Sequence, residues 1–115
     1  MAELEVKERQ AGDVTILDLS GSVRIGDGAI ALRDAVRNQI NTGKTKVLLN
    51  LAGVNYMDST GVGELIANYT TLSRDGGQLK LLNLTDKIQN LLVITKLLTV
   101  FDAFDNEAEA LGSFR

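Results

Sequence analysis

The stretch Val47-Leu48-Leu49-Asn50-Leu51, then Ala52-Gly53-Val54-Asn55-Tyr56-Met57-Asp58-Ser59 and Thr60-Gly61-Val62-Gly63, decides how the rest of the chain is read. Its first five residues form a nearly continuous apolar run. That fits a strand covered on both faces, and on length alone it leaves a buried helical turn open. Ala52 to Ser59 reads as a loop. Beyond it Val62, Leu65, Ile66, Tyr69 and Leu72 recur at helical spacing, and the pattern stops at Asp75-Gly76-Gly77. Glu64, Asn68, Thr71 and Arg74 fall elsewhere on that cylinder and are expected to face water or a partner. A strand, a loop and a helix in this order make half of a β-α-β unit.

Working outward, Leu4 and Val6 alternate with Glu3, Glu5 and Lys7, the period-two pattern of a half-buried strand. Gln10-Ala11-Gly12-Asp13 reads as a turn and Val14 to Ser20 as a second strand, so the pair predicts an antiparallel hairpin. Gly21 to Gly28 reads as a loop, with Asp27 placed to cap the next helix. That helix carries Ile30, Leu32, Ala35, Val36 and Ile40 on one face and ends at Asn41-Thr42-Gly43, where the glycine suits a C-terminal cap. Downstream, Leu79 to Leu84 is the fourth strand, and a third helix starts at Thr85-Asp86 and runs to about Leu92. Val100-Phe101 is a candidate edge strand, and Glu107 to Leu111 a last amphipathic turn.

The resulting order predicts an α/β fold. An antiparallel N-terminal hairpin is followed by parallel β-α-β units, giving a small mixed β-sheet with helices packed against it as a single domain over residues 1–115. In such units the strand-to-helix loops leave from the carboxyl ends of the parallel strands. Gly21–Gly28, Gly53–Ser59 and Asn83–Asp86 are therefore expected at one end of the molecule, where function is to be sought.

Composition narrows what that function can be. The 115 residues are 44% hydrophobic and 23% charged, with no Cys and no His. Thiol nucleophiles, imidazole bases and the usual zinc ligands are absent, so no metal or cofactor is expected. The net charge of −3 comes without a Lys/Arg cluster, which disfavours nucleic acid as a partner. No apolar run approaches the about 20 residues of a membrane-spanning helix. Met1-Ala2-Glu3-Leu4-Glu5 shows no signal peptide, so a cytoplasmic, membrane-free chain is the expectation.

The loop before the second helix holds the chemistry. A hydroxyl in the first helical turn sits where unpaired N–H groups and the helix dipole favour negative charge. A phosphate on Ser59 could accept bonds from the amides of Gly61 and Val62. Gly61 and Gly63, lacking side chains, would let another protein approach the backbone closely. The plain alternative is that Asp58, Ser59 and Thr60 only cap the helix, which is the commoner meaning of such residues. Catalytic motifs fit less well. A nucleophile elbow needs a glycine where Met57 stands, an aspartic-protease loop needs glycine where Thr60 stands, and no base is present to activate Ser59.

The residues Leu48-Leu49-Asn50-Leu51 and Tyr56-Met57-Asp58-Ser59-Thr60-Gly61-Val62-Gly63 resemble the core signature of the STAS domain family. Within that family they look most like bacterial anti-sigma factor antagonists. The likeness extends through Leu19-Ser20-Gly21, Gly76-Gly77, Leu79-Lys80-Leu81 and Val100-Phe101. It implies a STAS-like fold and a partner switch in transcription regulation. The unmodified domain would bind an anti-sigma factor with GHKL-type serine kinase activity. That kinase would phosphorylate Ser59, with Thr60 the less favoured acceptor, and the complex would part. A PP2C-type phosphatase would reset it, so the chain would be the substrate of an enzyme and no enzyme itself.

The resemblance makes Asp58, Thr60 and Gly61 the phosphosite loop, and Arg24, Asp27 and Glu64 the expected partner-binding surface. Many antagonists of this family carry an acid in the segment that reads Gly21-Ser22-Val23-Arg24 here, and the cation implies a differently charged partner. Asp27 either replaces that acid or only caps its helix. Two other classes stay beside the switch. One is a non-catalytic scaffold in a larger assembly, which a long apolar patch at the amino ends of the strands would favour. The other is a small-molecule or nucleotide-binding module at the same loop end.

Overall fold

The computed structural model describes residues 3–115; Met1 and Ala2, where the reading of no signal peptide begins, lie outside the described residues. Five strands form one sheet in the order β1 to β5: Leu4–Ala11, Val14–Val23, Lys46–Met57, Gln78–Leu82 and Ala103–Phe104. β1 pairs antiparallel with β2, from Leu4↔Gly21 to Ala11↔Val14, and every other neighbour is parallel. Helices α1 (Asp27–Asn41), α2 (Ser59–Arg74), α3 (Asp86–Ile94) and α4 (Glu107–Gly112) fill the connections and the end. The α/β reading and its mixed sheet hold.

Strand alternation divides the core in two. Leu17, Leu19, Leu49, Leu51, Leu79 and Leu81 point to one face, where Leu32 and Val36 of α1, Leu65 and Leu72 of α2, and Ile88 and Leu92 of α3 close over them. Val14, Ile16, Leu48 and Leu82 point to the other face and meet Ala110 of α4, with Phe104, Leu111 and Phe114 packed around them. Each fully buried leucine or isoleucine contributes about 1.5–3 kcal/mol, so this two-sided burial explains the nearly continuous apolar run in β3, which only Asn50 interrupts. On the α4 side Lys80 is also buried. Its Nζ donates to the carbonyl and Oγ of Ser113 at 2.9 and 3.0 Å and lies 5.1 Å from the Phe114 ring centroid.

Both long helices end as their glycines require. After α1, Gly43 N–H donates to Ile40 and Lys44 N–H to Gln39; after α2, Gly76 N–H donates to Ser73 and Gly77 N–H to Leu72. Gly43 and Gly76 have φ of 79° and 76°, the left-handed backbone this motif needs.

Several expectations are corrected. β3 does not stop at Leu51: Val54 and Met57 still reach the core, so Ala52 to Met57 remains strand rather than loop. β2 likewise runs to Val23, and register shifts between Asp18 and Ser20 and between Gly21 and Ser22 hide the alternation of both. β4 ends at Leu82 because Asn83 turns to φ 57°. The edge strand is Ala103–Phe104, while Leu98–Val100 is a 3₁₀ turn and Phe101 enters the core edge-on to Tyr69. Ile30 is exposed because the inner face of α1 runs Ala29, Leu32, Val36, Gln39. Gln39 tolerates burial there because its carbonyl accepts from Thr15 Oγ1 at 3.1 Å and its amide donates to Glu8 at 2.7 Å. Asn68 is buried rather than turned to water, and its amide nitrogen has no partner among the described residues.

Candidate functional site

β2 and β3 lie side by side up to Val23↔Met57, so the chain segments leaving them meet at one point. Asp58 joins them. Its N–H donates to Val23 carbonyl at 3.3 Å, and its carboxylate accepts from Gly61 N–H at 3.0 Å through Oδ1 and from Ile25 N–H at 3.0 Å through Oδ2. One carboxylate thus caps α2 and pins the β2–α1 loop. The Ile25 N–H, and after it the Gly61 N–H, hold this carboxyl below the ordinary carboxylate range, so it is ionised at neutral pH.

Ser59 is the first residue of α2 and is exposed; Thr60 is half-buried. The cap is Asp58, and this settles the fate of the expected phosphate acceptors. Gly61 N–H is bound to the Asp58 side chain and Val62 N–H donates to the Asp58 carbonyl at 3.1 Å. Neither amide is free to cradle a phosphate. Gly61 also does not offer its backbone to a partner: it is buried, and a Cβ there would stand 2.2 Å from Val23 carbonyl and 2.7 Å from Met57 Cγ. The glycine lets α2 start flush against the end of β2. Gly63 is exposed, with nothing within 4 Å of a Cβ, so its backbone is open to solvent.

The other expected residues are dispersed. Arg24 is exposed and pairs with Glu3 beside β1, so its charge is compensated within the chain. Asp27 does not cap α1: Gly26 occupies the cap position without a side-chain bond, and Asp27 stands in the first turn, where a negative charge complements the helix dipole. Glu64 faces Arg33 of α1 rather than water, with Nη2 to Oε2 at 2.7 Å and only 12% of its side chain exposed. The third loop is set back from the other two. β4 ends opposite Asn50, while β3 runs on to Met57.

What the sequence reading missed is apolar. Ile25 is 73% exposed at the tip of the β2–α1 loop, its N–H held by Asp58 next to Ser59. Tyr56 near the end of β3, 44% exposed, and Ile94 at the end of α3, 76% exposed, line a groove on the other side. Ile25 had a signal: it stands between Arg24 and Gly26 with no periodic neighbour to bury it. Ile25 on its loop and Ile94 at the end of α3 thus leave apolar surface in water on both sides of the β2 and β3 ends. No helix of the described residues is long and apolar enough to cross a membrane.

This chain is similar to known proteins. The chain is 28% identical over 65 residues to the anti-sigma F factor antagonist of Paenibacillus polymyxa, covering 56% of each chain. It is 40% identical over 52 residues to the anti-sigma-B factor antagonist of Bacillus subtilis, covering 45% of this chain and 48% of that one. These matches span about half the length of those two relatives. The crystal structure of a candidate anti-sigma factor antagonist from Thermotoga maritima superposes with a TM-score of 0.88 at 25% identity, over 96% of this chain and 94% of that one. Residues 5–110, nearly the whole chain and the Asp58–Ser59 junction with it, match the STAS domain, and the chain belongs to the STAS domain family.

Proposed function

We propose that this chain is an anti-sigma factor antagonist. In this reading its carboxyl-end surface binds an anti-sigma factor with GHKL-type serine kinase activity, and phosphorylation of Ser59 by that kinase releases it. A PP2C-type phosphatase restores the binding form, and the chain itself performs no catalysis. The observation that carries this reading is the position of Ser59: exposed, at the first helical residue, beside an ionised Asp58 and next to the uncovered Ile25.

The chemistry follows from what Asp58 has already used. A phosphate on Ser59 adds about −1.5 to −2 charges next to a carboxylate. It gains no bond from Gly61 or Val62 unless the first turn of α2 opens, so it stays on the surface that a partner must dry. Burying an uncompensated charge in an interface costs about 3 kcal/mol or more, close to a hundredfold in affinity. The contact breaks without refolding the domain. The apolar residues support the switch over the scaffold. Ile25 and Tyr56 are exposed at the carboxyl ends of β2 and β3, while the turns Gly12-Asp13, Gly43–Thr45 and Gly76-Gly77 that lead into β2, β3 and β4 carry none of the exposed large hydrophobics; Val93, Ile94 and Val100 are exposed on the connection into β5.

The test is intact mass after incubation with ATP and the candidate anti-sigma kinases of the same genome. The reading expects one added phosphate, lost in Ser59→Ala and kept in Thr60→Ala. A folded chain that takes no phosphate from any of them overturns the switch and returns the scaffold to first place.

A further inference from the structure

Beyond its last pairing with β4 at Asn50↔Leu82, β3 continues to Met57 with β2 on one side and no strand on the other among the described residues. The Ala52 N–H is satisfied by its neighbour's side chain, Asn50 Oδ1 at 3.2 Å, rather than by a strand. Ala52, Gly53, Asn55 and Tyr56 are all exposed, and exposure at Gly53 is exposure of backbone. Free edges are normally guarded by lysine, proline or a covering element. The run Leu51-Ala52-Gly53-Val54-Asn55-Tyr56-Met57 holds neither a charge nor a proline.

Alongside this edge runs an open groove of about 510 Å³ between β3 and α3, lined by Tyr56, Met57, Lys87, Asn90, Leu91 and Ile94. Its floor is apolar, and among the described residues Lys87 is the one charged residue lining it. An unpaired edge accepts an extended chain through backbone hydrogen bonds, and side chains on alternate positions of that chain enter the groove together. We propose that the Ala52–Met57 edge takes an extended segment of the partner protein as an added strand, with apolar side chains over Leu91 and Ile94 and an acidic one at Lys87. This rests on the antagonist reading for the partner's identity, and it is continuous with that surface, since the edge ends at Asp58-Ser59. The added strand would fix the partner's position over the phosphosite.

Two titrations of the full ¹⁵N-labelled chain test it. The first uses a capped synthetic peptide, acetyl-Thr-Val-Thr-Glu-Thr-Val-amide, whose valines and glutamate share a face. The inference expects shifts confined to the Ala52–Met57 amides and α3, and binding about tenfold weaker in Lys87→Glu. No shift at Ala52–Met57 at millimolar peptide overturns it. Shifts there that depend on protein concentration without peptide also overturn it, making a second copy of the chain the occupant. The second titration uses the kinase that phosphorylates Ser59, read by amide hydrogen exchange. Protection of Ala52–Met57 supports strand addition. Protection confined to Ile25 and Asp58–Thr60 removes the inference and leaves the antagonist reading standing. If no kinase phosphorylates the chain, the antagonist reading falls, and the peptide alone decides the edge.

Discussion

At the amino ends of the strands the chain finishes its turns with its own polar groups. Lys46 holds Asp13 at 2.7 Å, Gln78 N–H donates to Thr45 carbonyl at 2.8 Å, and the two helix-ending glycines close their carbonyls. At the carboxyl ends of β2 and β3 the polar groups turn inward instead. Asp58 commits both carboxylate oxygens to backbone, and what faces water is Ile25 and Tyr56. One end closes its turns with its own groups; the other leaves apolar surface in water. In the proposed function the exposed Ser59 beside this surface is the point of control, because one modification there would change the contact without touching the core.

The strongest way to break this contrast is to disturb the glycine at the junction. Gly61→Ala forces a methyl group to within 2.2 Å of Val23 carbonyl, and urea unfolding should show a loss of about 2–3 kcal/mol. Two residues on, Gly63→Ala meets nothing within 4 Å and should stabilise the helix by about 0.5–1 kcal/mol. If both substitutions cost the same, the close fit of α2 against β2 is not what fixes Gly61.

Next in size is Asp58→Ala, which removes the cap and releases the Ile25 loop. It should cost about 1–2 kcal/mol in the same measurement, with faster exchange of the Ile25 and Gly61 amides. The pH dependence has a definite sign. The folded carboxyl titrates below its unfolded value of 3.8, so its stabilisation is complete above that pH and is lost as pH falls through the folded value. Stability measured from pH 6 downward should fall less steeply in the alanine variant. An unchanged slope would mean that the two hydrogen bonds do not favour the ionised form.

Ile25→Ala is expected to leave stability within about 0.5 kcal/mol, since the side chain is exposed, while weakening binding to the kinase about tenfold. Lys46→Ala at the opposite end should leave that affinity unchanged. Equal effects from the two would erase the distinction between the ends.

Much of this was legible in the sequence because the signals were local. Periodicity marked Val62, Leu65 and Leu72, the continuous run Val47–Leu51 announced a two-sided strand, and the glycines after α1 and α2 marked their ends. What stayed hidden depends on neighbours distant in sequence. Ala52 to Met57 looked like a loop because Gly53 and Asn55 are poor strand formers, and only pairing with the long β2 holds them extended. Gln39 is buried because Thr15 and Glu8 satisfy it, and Gly61 is needed because Val23 lies against it. Asp58 was seen as part of the phosphosite loop. That its side chain and carbonyl take the Gly61 and Val62 amides depends on the local helix start, and that it also holds Ile25 required the geometry of both loops.

The central claim is that one phosphate on Ser59 breaks a contact and leaves the fold alone. The direct measurement is size-exclusion chromatography of the chain with its anti-sigma kinase, before and after stoichiometric phosphorylation, with amide spectra of both forms. Co-elution is expected only of the unmodified chain, with spectral changes confined to Ile25 and Asp58–Val62 and none at Gly12, Gly43 or Gly77. Equal co-elution of both forms, or changes spread through the sheet, would contradict it.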